Sequence, residues 1–193
     1  MLIYMIRHGQ TAWNAEGRLQ GQKDIPLNDT GRRQAAGNGD ALKGILGASV
    51  SDFDFVASPL GRTRETMEIL RCAMGLDPLA YRTDPRLVEL SFGDWEGHTL
   101  AELKTLAPER VDERSHAKWN FIPPGDAAES YEILSWRIGS FLGDVTRPTV
   151  CVSHGGVFRA AFRLHGMDEE EAANTPVHQD RILRIDGTGM HWL

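Results

Sequence analysis

The chain has 193 residues, 41% hydrophobic and 25% charged, with a formal net charge of −6. This length suits one domain around one large core, and the composition excludes a disordered or fibrous chain. The negative charge opposes a broad surface for nucleic acid or acidic lipid, both polyanions, and leaves room only for a local basic pocket.

The first apolar run, residues 2–6, ends abruptly at Arg7 and His8. It is too short for a secretory h-region and reads as a strand buried on both faces. Arg7-His8-Gly9-Gln10-Thr11 then leads to Asn14 and to Arg18-Leu19-Gln20-Gly21. A histidine after a strand is more often structural than nucleophilic, but these neighbours alter the balance. Arg7 offers a planar donor fork suited to phosphate, Gly9 permits close backbone approach to a ligand, and Thr11 and Asn14 add neutral hydrogen-bonding groups.

Asn28-Asp29-Thr30-Gly31 caps a helix expected to reach residue 46, although Gly37, Gly39 and Gly44 weaken it. A second buried strand follows at 53–57, and Ser58-Pro59 opens a helix running to Met74, with Gly75 as its stop. Arg62 lies at the start of this helix, where free amides also favour anions, and is assigned to the site; Arg64 is read as a solvated charge. Residues 87–90 form a weaker strand candidate containing Glu89, ahead of Phe92-Gly93-Asp94-Trp95-Glu96-Gly97. A carboxyl group held beside a phosphate dianion retains its proton more readily, which makes Glu89 the best acid, with Asp94 and Glu96 as ordinary exposed carboxylates.

Residues 107–127, with Trp119, Phe121, Pro123, Pro124 and Gly125, are the least regular stretch. They are expected to form a loop within a lid or substrate wall around 98–130, because aromatic residues are poor choices for a solvated spacer. Trp119, Phe121 and Trp136 read as core or lid packing. A helix is predicted over 128–145 from Tyr131, Leu134, Ile138 and Leu142 at spacings of three and four. The strand at 149–152 runs into Ser153-His154-Gly155-Gly156, which starts a further helix ended by Gly166, and 182–185 is a last weak strand.

Strands alternating with helices predict a three-layer α/β/α sandwich with a mainly parallel central sheet, one domain over 1–193. Ligands of such sheets bind outside the carboxyl ends of the strands, where Arg7-His8, Ser58 to Arg62 and Ser153-His154 all fall. Cys72 and Cys151 read as reduced core thiols of a cytoplasmic protein. His98, His116, His165, His178 and His191 have no spacing suited to a metal site, and no run approaches the roughly 20 apolar residues of a membrane helix.

Taken together and in order, the Arg-His-Gly-x-Thr-x-x-Asn start, Arg-x-Gln-Gly, Ser-Pro-Leu-x-Arg, the Glu before Phe-Gly-x-Trp-Glu-Gly and the late Ser-His-Gly-Gly resemble the histidine phosphatase superfamily, the phosphoglycerate mutase-like family, over essentially the whole chain. The resemblance implies a covalent phosphohistidine on His8, with Arg7, Arg62 and His154 binding the phosphoryl oxygens and Glu89 as proton donor. It further implies a phosphate pocket completed by Asn14, Gln20, Gly21 and Gly155, and needs no metal or cofactor. The expected substrate is a small phosphorylated metabolite.

The chain looks closer to the phosphatases than to the mutases, which usually carry an Arg and a Tyr after the acid. Mutase chemistry calls for further cations at the mouth, for which Lys104, Arg110, Arg114 and Lys118 are candidates, and remains the alternative. A phosphate-recognising binding protein ranks lower, since neither nucleophile nor acid is lost. Many relatives carry Pro-Pro-Gly-Gly-Glu-Ser where this chain has Pro123-Pro124-Gly125 followed by Asp126-Ala127-Ala128-Glu129-Ser130, a turn two residues longer. Substrate identity and oligomeric state are not legible.

Overall fold

The computed structural model describes residues 1–193. In chain order the elements are β1 (Ile3–Arg7), α1 (Ala12–Glu16), α2 (Asp29–Leu46), β2 (Asp54–Ala57), α3 (Gly61–Met74), β3 (Arg82–Thr83), α4 (Leu100–Leu106), α5 (Pro108–His116), α6 (Tyr131–Gly143), β4 (Thr149–Ser153), α7 (Gly155–Leu164), α8 (Glu169–Asn174), β5 (Ile182–Asp186) and β6 (Gly189–Trp192). The strands form one sheet in the order β3-β2-β4-β1-β5-β6. From β3 to β1 every pairing is parallel, whereas β5 and β6 run antiparallel at the other edge.

Strand alternation divides the core in two. Ile3, Met5, Val56, Cys151, Leu183 and Ile185 face the layer of α6, α7 and α8, through Leu134, Ile138, Phe158 and Phe162. Tyr4, Ile6, Phe55, Ala57, Val150 and Val152 face α2 and α3, through Leu42, Leu46, Met67 and Leu70. The three-layer expectation therefore holds, and because β2, β4 and β1 are parallel neighbours their carboxyl ends open side by side.

Several local expectations are corrected. Residues 87–90 are not a strand: Pro85–Leu87 is a short 3-10 turn, and the carbonyls of Arg86, Val88 and Glu89 accept from the Arg137 side chain instead of a neighbouring strand. The third parallel strand is the two-residue β3, too short to leave a pattern. Within 107–127, Pro108–His116 is helical; Pro108 pre-sets its first turn, but its faces are so charged that no apolar stripe betrays it. Ser130 caps α6 and delays its start from 128 to 131.

Trp119 and Phe121 are buried as expected, Phe121 in a small satellite core with Trp95 and Leu103. Trp136 is not, being 66% exposed. Cys151 lies in the core, but Cys72 is exposed on α3. No helix is long and apolar enough to cross a membrane.

The weak glycines of α2 separate into two kinds. A methyl on Gly39 would stand 2.5 Å from the Leu70 carbonyl oxygen, so this glycine sets how closely α2 crosses α3, while Gly37 and Gly44 face open space. Gly39→Ala is expected to destabilise the fold by about 1–3 kcal/mol through overpacking. Gly37→Ala and Gly44→Ala should each stabilise it by about 1 kcal/mol through helix propensity. Urea denaturation of the three variants checks the contrast.

Candidate active site

His8 follows β1, Ser58 follows β2 and His154 follows β4, so the sheet itself brings together residues up to 146 positions apart in the chain. The His8 and His154 rings lie 5.2 Å apart between centroids, and both residues are buried. His8 Nδ1 donates to the Gly9 carbonyl at 2.8 Å, because a carbonyl can only accept. Its tautomer is thereby set, and Nε2 keeps its lone pair. Burial first, then the charges of Arg62 and Arg7, hold His8 well below the usual histidine range, so the ring is neutral. His154 is likewise held low, by burial and then by Arg62. Its Nε2 contacts the Ser58 hydroxyl at 2.8 Å, and its Nδ1 is buried without a partner.

Two guanidiniums supply the field. Arg62, 1% exposed, donates to the carbonyls of Lys23 at 2.6 Å and Gly21 at 2.7 Å. With its amide oriented to satisfy both neighbours, Gln20 accepts from Arg62 Nε at 2.7 Å and donates to Thr11. The carboxylate of Asp24 stands off at 3.9 Å and caps the start of α3 through the Gly61 amide. Arg7 donates to the Val177 carbonyl at 2.9 Å, and its Nε is buried without a partner. Burial lowers each arginine to about 10, still charged at neutral pH. Neutral carbonyls therefore hold these cations in place without cancelling their charge.

Glu89 reaches the same centre from the loop after the 3-10 turn. Its carboxylate accepts from the Gly156 amide at 3.0 and 3.2 Å and from the Leu90 amide at 2.9 Å, completing the amino end of α7. A methyl at Gly156 would stand 2.3 Å from Glu89 Oε1, so only glycine admits this approach. Arg137, paired with Glu129 at 2.9 Å, grips the Glu89 segment by its carbonyls.

The structure brings Arg7, His8, Arg62, Glu89, His154 and Gly155 together. Asn14 closes a capping box with Thr11 at the start of α1, and Gln179 donates both to its Oδ1 and to the His8 carbonyl. Gln20 and Gly21 act on Arg62, which they hold through their oxygens. Two readings change. Gly9 packs against the Gly31 backbone, where a methyl would stand 2.2 Å from the carbonyl oxygen, and serves helix packing. Glu96 is no ordinary exposed carboxylate: it accepts from the amides of Gln22 and Phe92, tying the Gln20-Gly21 loop to the segment after Glu89. Ser58, Gln179 and Arg137 were missed. Ser58 could have been suspected from its place in the Ser-Pro-Leu-x-Arg cluster; the other two bond to distant backbone and leave no local signal.

Residues 3–193 match the model of the histidine phosphatase superfamily, branch 1. The chain is 34% identical over 169 residues to a glucosyl-3-phosphoglycerate phosphatase of Mycolicibacterium vanbaalenii, covering 82% of this chain and 71% of that protein. It is 33% identical over 192 residues to phosphoglycerate mutase-like protein 4 of Arabidopsis thaliana, covering 95% and 80%. The crystal structure of phosphoglycerate mutase from Thermus thermophilus superposes with a TM-score of 0.74 at 32% identity, covering 97% of this chain and 94% of that one.

Both buried imidazoles are neutral when folded, and each takes a proton near pH 6.5 when unfolded. The unfolded chain then binds the extra protons, so stability is complete above about pH 6.5 and falls as the pH drops below it. In urea titrations at pH 7.5 and 5.5, His8→Gln should lose about 1.4 kcal/mol less than the parent between the two.

Proposed function

The chain belongs to the histidine phosphatase superfamily and is a phosphoryl-handling enzyme; we propose that it hydrolyses a small phosphomonoester through a phosphohistidine on His8, with no metal in any step. The observation that carries this reading is the state of His8: a neutral ring with Nδ1 donating to Gly9 and Nε2 unbonded, between two charged arginines. A neutral imidazole with one free lone pair is the form a nucleophile requires.

In the first step the His8 Nε2 lone pair attacks phosphorus in line. The bond to the ester oxygen breaks, and that oxygen takes the proton of the Glu89 carboxyl. Arg7 and Arg62 stabilise the charge on the equatorial oxygens; because carbonyls already hold them in place, little reorganisation is needed as the charge develops. If the Ser58 hydroxyl donates to His154 Nε2, the proton stays on Nδ1, and that otherwise unpartnered donor serves the phosphoryl group. Asn14 adds a neutral amide at the edge of this pocket. In the second step the Glu89 carboxylate takes a proton from water, the water oxygen attacks phosphorus, and the P–N bond returns its electron pair to His8.

A second reading is phosphoglycerate mutase-type isomerisation, favoured by the mutase names among the relatives and by Arg114 and Lys118 in the wall. It differs in the fate of the phosphoryl group, which returns to substrate carbon skeletons and not to water.

His8→Ala should abolish phosphate release from a phosphomonoester panel assayed in excess chelator. Isomerisation of phosphoglycerate with no net phosphate release would transfer the assignment to a mutase. Glu89→Gln should slow an alkyl phosphate by roughly 10²-fold or more and a nitrophenyl phosphate far less, since only the poor leaving group needs the proton. Gly156→Ala, which displaces the Glu89 carboxylate, should reproduce the same leaving-group dependence; equal losses on both esters would remove Glu89 from the proton-donor role.

A further inference from the structure

The sheet that aligns the strand ends stops short on one side of His8. β5 begins at Ile182, opposite Ile6, so no residue of β5 pairs with β1 beyond that point. On the other side β4 continues, and the Ser153 carbonyl accepts from the His8 amide at 2.9 Å. A side chain fills the gap that β5 leaves: Gln179 Nε2 donates to the His8 carbonyl at 3.0 Å and to Asn14 Oδ1 at 3.1 Å. One nitrogen touches both, so the Asn14 amide lies within two hydrogen bonds of the main chain of His8.

Backbone groups at both ends fix the polarity of this run of amides. The His8 carbonyl can only accept, so Gln179 must present its NH2 group, and both of its hydrogens are then used. The Thr11 amide can only donate, and it reaches Asn14 Oδ1 at 3.2 Å, so Asn14 must present its oxygen to Thr11 and Gln179 alike. What remains for a ligand is Asn14 Nδ2, which makes no hydrogen bond within the protein. A turned-over Asn14 would set its NH2 group against two donors and show an oxygen to the pocket, where it would repel an anion.

Gln179 is held in turn from outside the site. Its carbonyl accepts at 2.9 Å from Nδ2 of Asn38, a residue 3% exposed on the otherwise apolar buried face of α2. Two residues earlier, the Val177 carbonyl accepts from Arg7 at 2.9 Å. One irregular segment between α8 and β5 therefore serves Arg7, His8 and Asn14 together.

We propose that Gln179 is a positioning residue: by donating to the His8 carbonyl and to Asn14 Oδ1 at once, it aims the Asn14 NH2 group at the phosphoryl oxygens and steadies the main chain of the nucleophile where the sheet ends. The proposal rests on reading the His8 pocket as the phosphoryl site. Because Gln179 reaches a bound phosphate through Asn14, its removal weakens phosphate binding only while Asn14 is present.

The test is a double-mutant cycle on the calorimetric binding of inorganic phosphate to the whole chain, which needs no turnover. Gln179→Met keeps the length of the side chain and removes both donors, and Gln179→Ala removes the side chain altogether. Each should weaken phosphate binding about 5-fold or more, with circular dichroism confirming the fold. In the Asn14→Ala background, which binds phosphate more weakly by itself, the same two substitutions should cost less than about twofold. A merely structural role would carry over unchanged between the two backgrounds. Equal losses in both, or no loss in either, overturns the positioning role while leaving the phosphate pocket in place. Absence of phosphate binding by the native chain overturns the pocket, and the role of Gln179 with it.

Discussion

The site depends on keeping two desolvated arginines, buried Arg62 and half-buried Arg7, charged with no carboxylate in hydrogen-bonding contact; the Asp24 carboxylate stays 3.9 Å from Arg62. Arg62 is held by the carbonyls of Lys23 and Gly21 and by the amide oxygen of Gln20, and Arg7 by the carbonyl of Val177. Carbonyl dipoles satisfy the donors and fix their geometry, but they leave the net charge for a ligand to neutralise. A salt bridge would have compensated each buried charge directly and would have cancelled the field. Burial first, and then these same positive charges, hold His8 and His154 neutral.

The sheet makes this arrangement possible. Side-by-side parallel strands β2, β4 and β1 end in Ser58, His154 and His8, and the register of β1 on β4, with Arg7 opposite Ser153, fixes their relative heights. Glu89 enters differently. Because Arg137 occupies the carbonyls of its segment, that chain cannot join the sheet and instead crosses to the amino end of α7. The strand that the sequence suggested at this point would have held Glu89 in the sheet.

The lengthened turn after Pro123-Pro124-Gly125 bears on the same support. Its extra residues are absorbed before Glu129, which still accepts from the Ser91 amide and pairs with Arg137. The variation is thus kept out of the acid's support and confined to the wall, where Arg114 and Lys118 also lie.

The residues at the strand ends, the layer order, the Asn28 cap of α2 and the glycine stops after α3 and α7 were legible in the sequence, because each rests on a local rule: buried strands read as apolar runs, and caps and stops as Asn or Gly at fixed offsets. The start of α3 was not legible, since it begins at Gly61 without a side-chain cap and not at Ser58-Pro59. The helix α5, the short β3 and the exposure of Trp136 and Cys72 were not, since a highly charged helix lacks periodicity and burial depends on what packs opposite. Nor could any local pattern reveal that Arg137 and Gln179 converge on residues 48 and 171 positions away. The sequence by itself determined which residues stand at the strand ends, because apolar runs and the turns that follow them are local. Tertiary structure alone decided which arginines remain unpaired, because that depends on the acids each one meets in space.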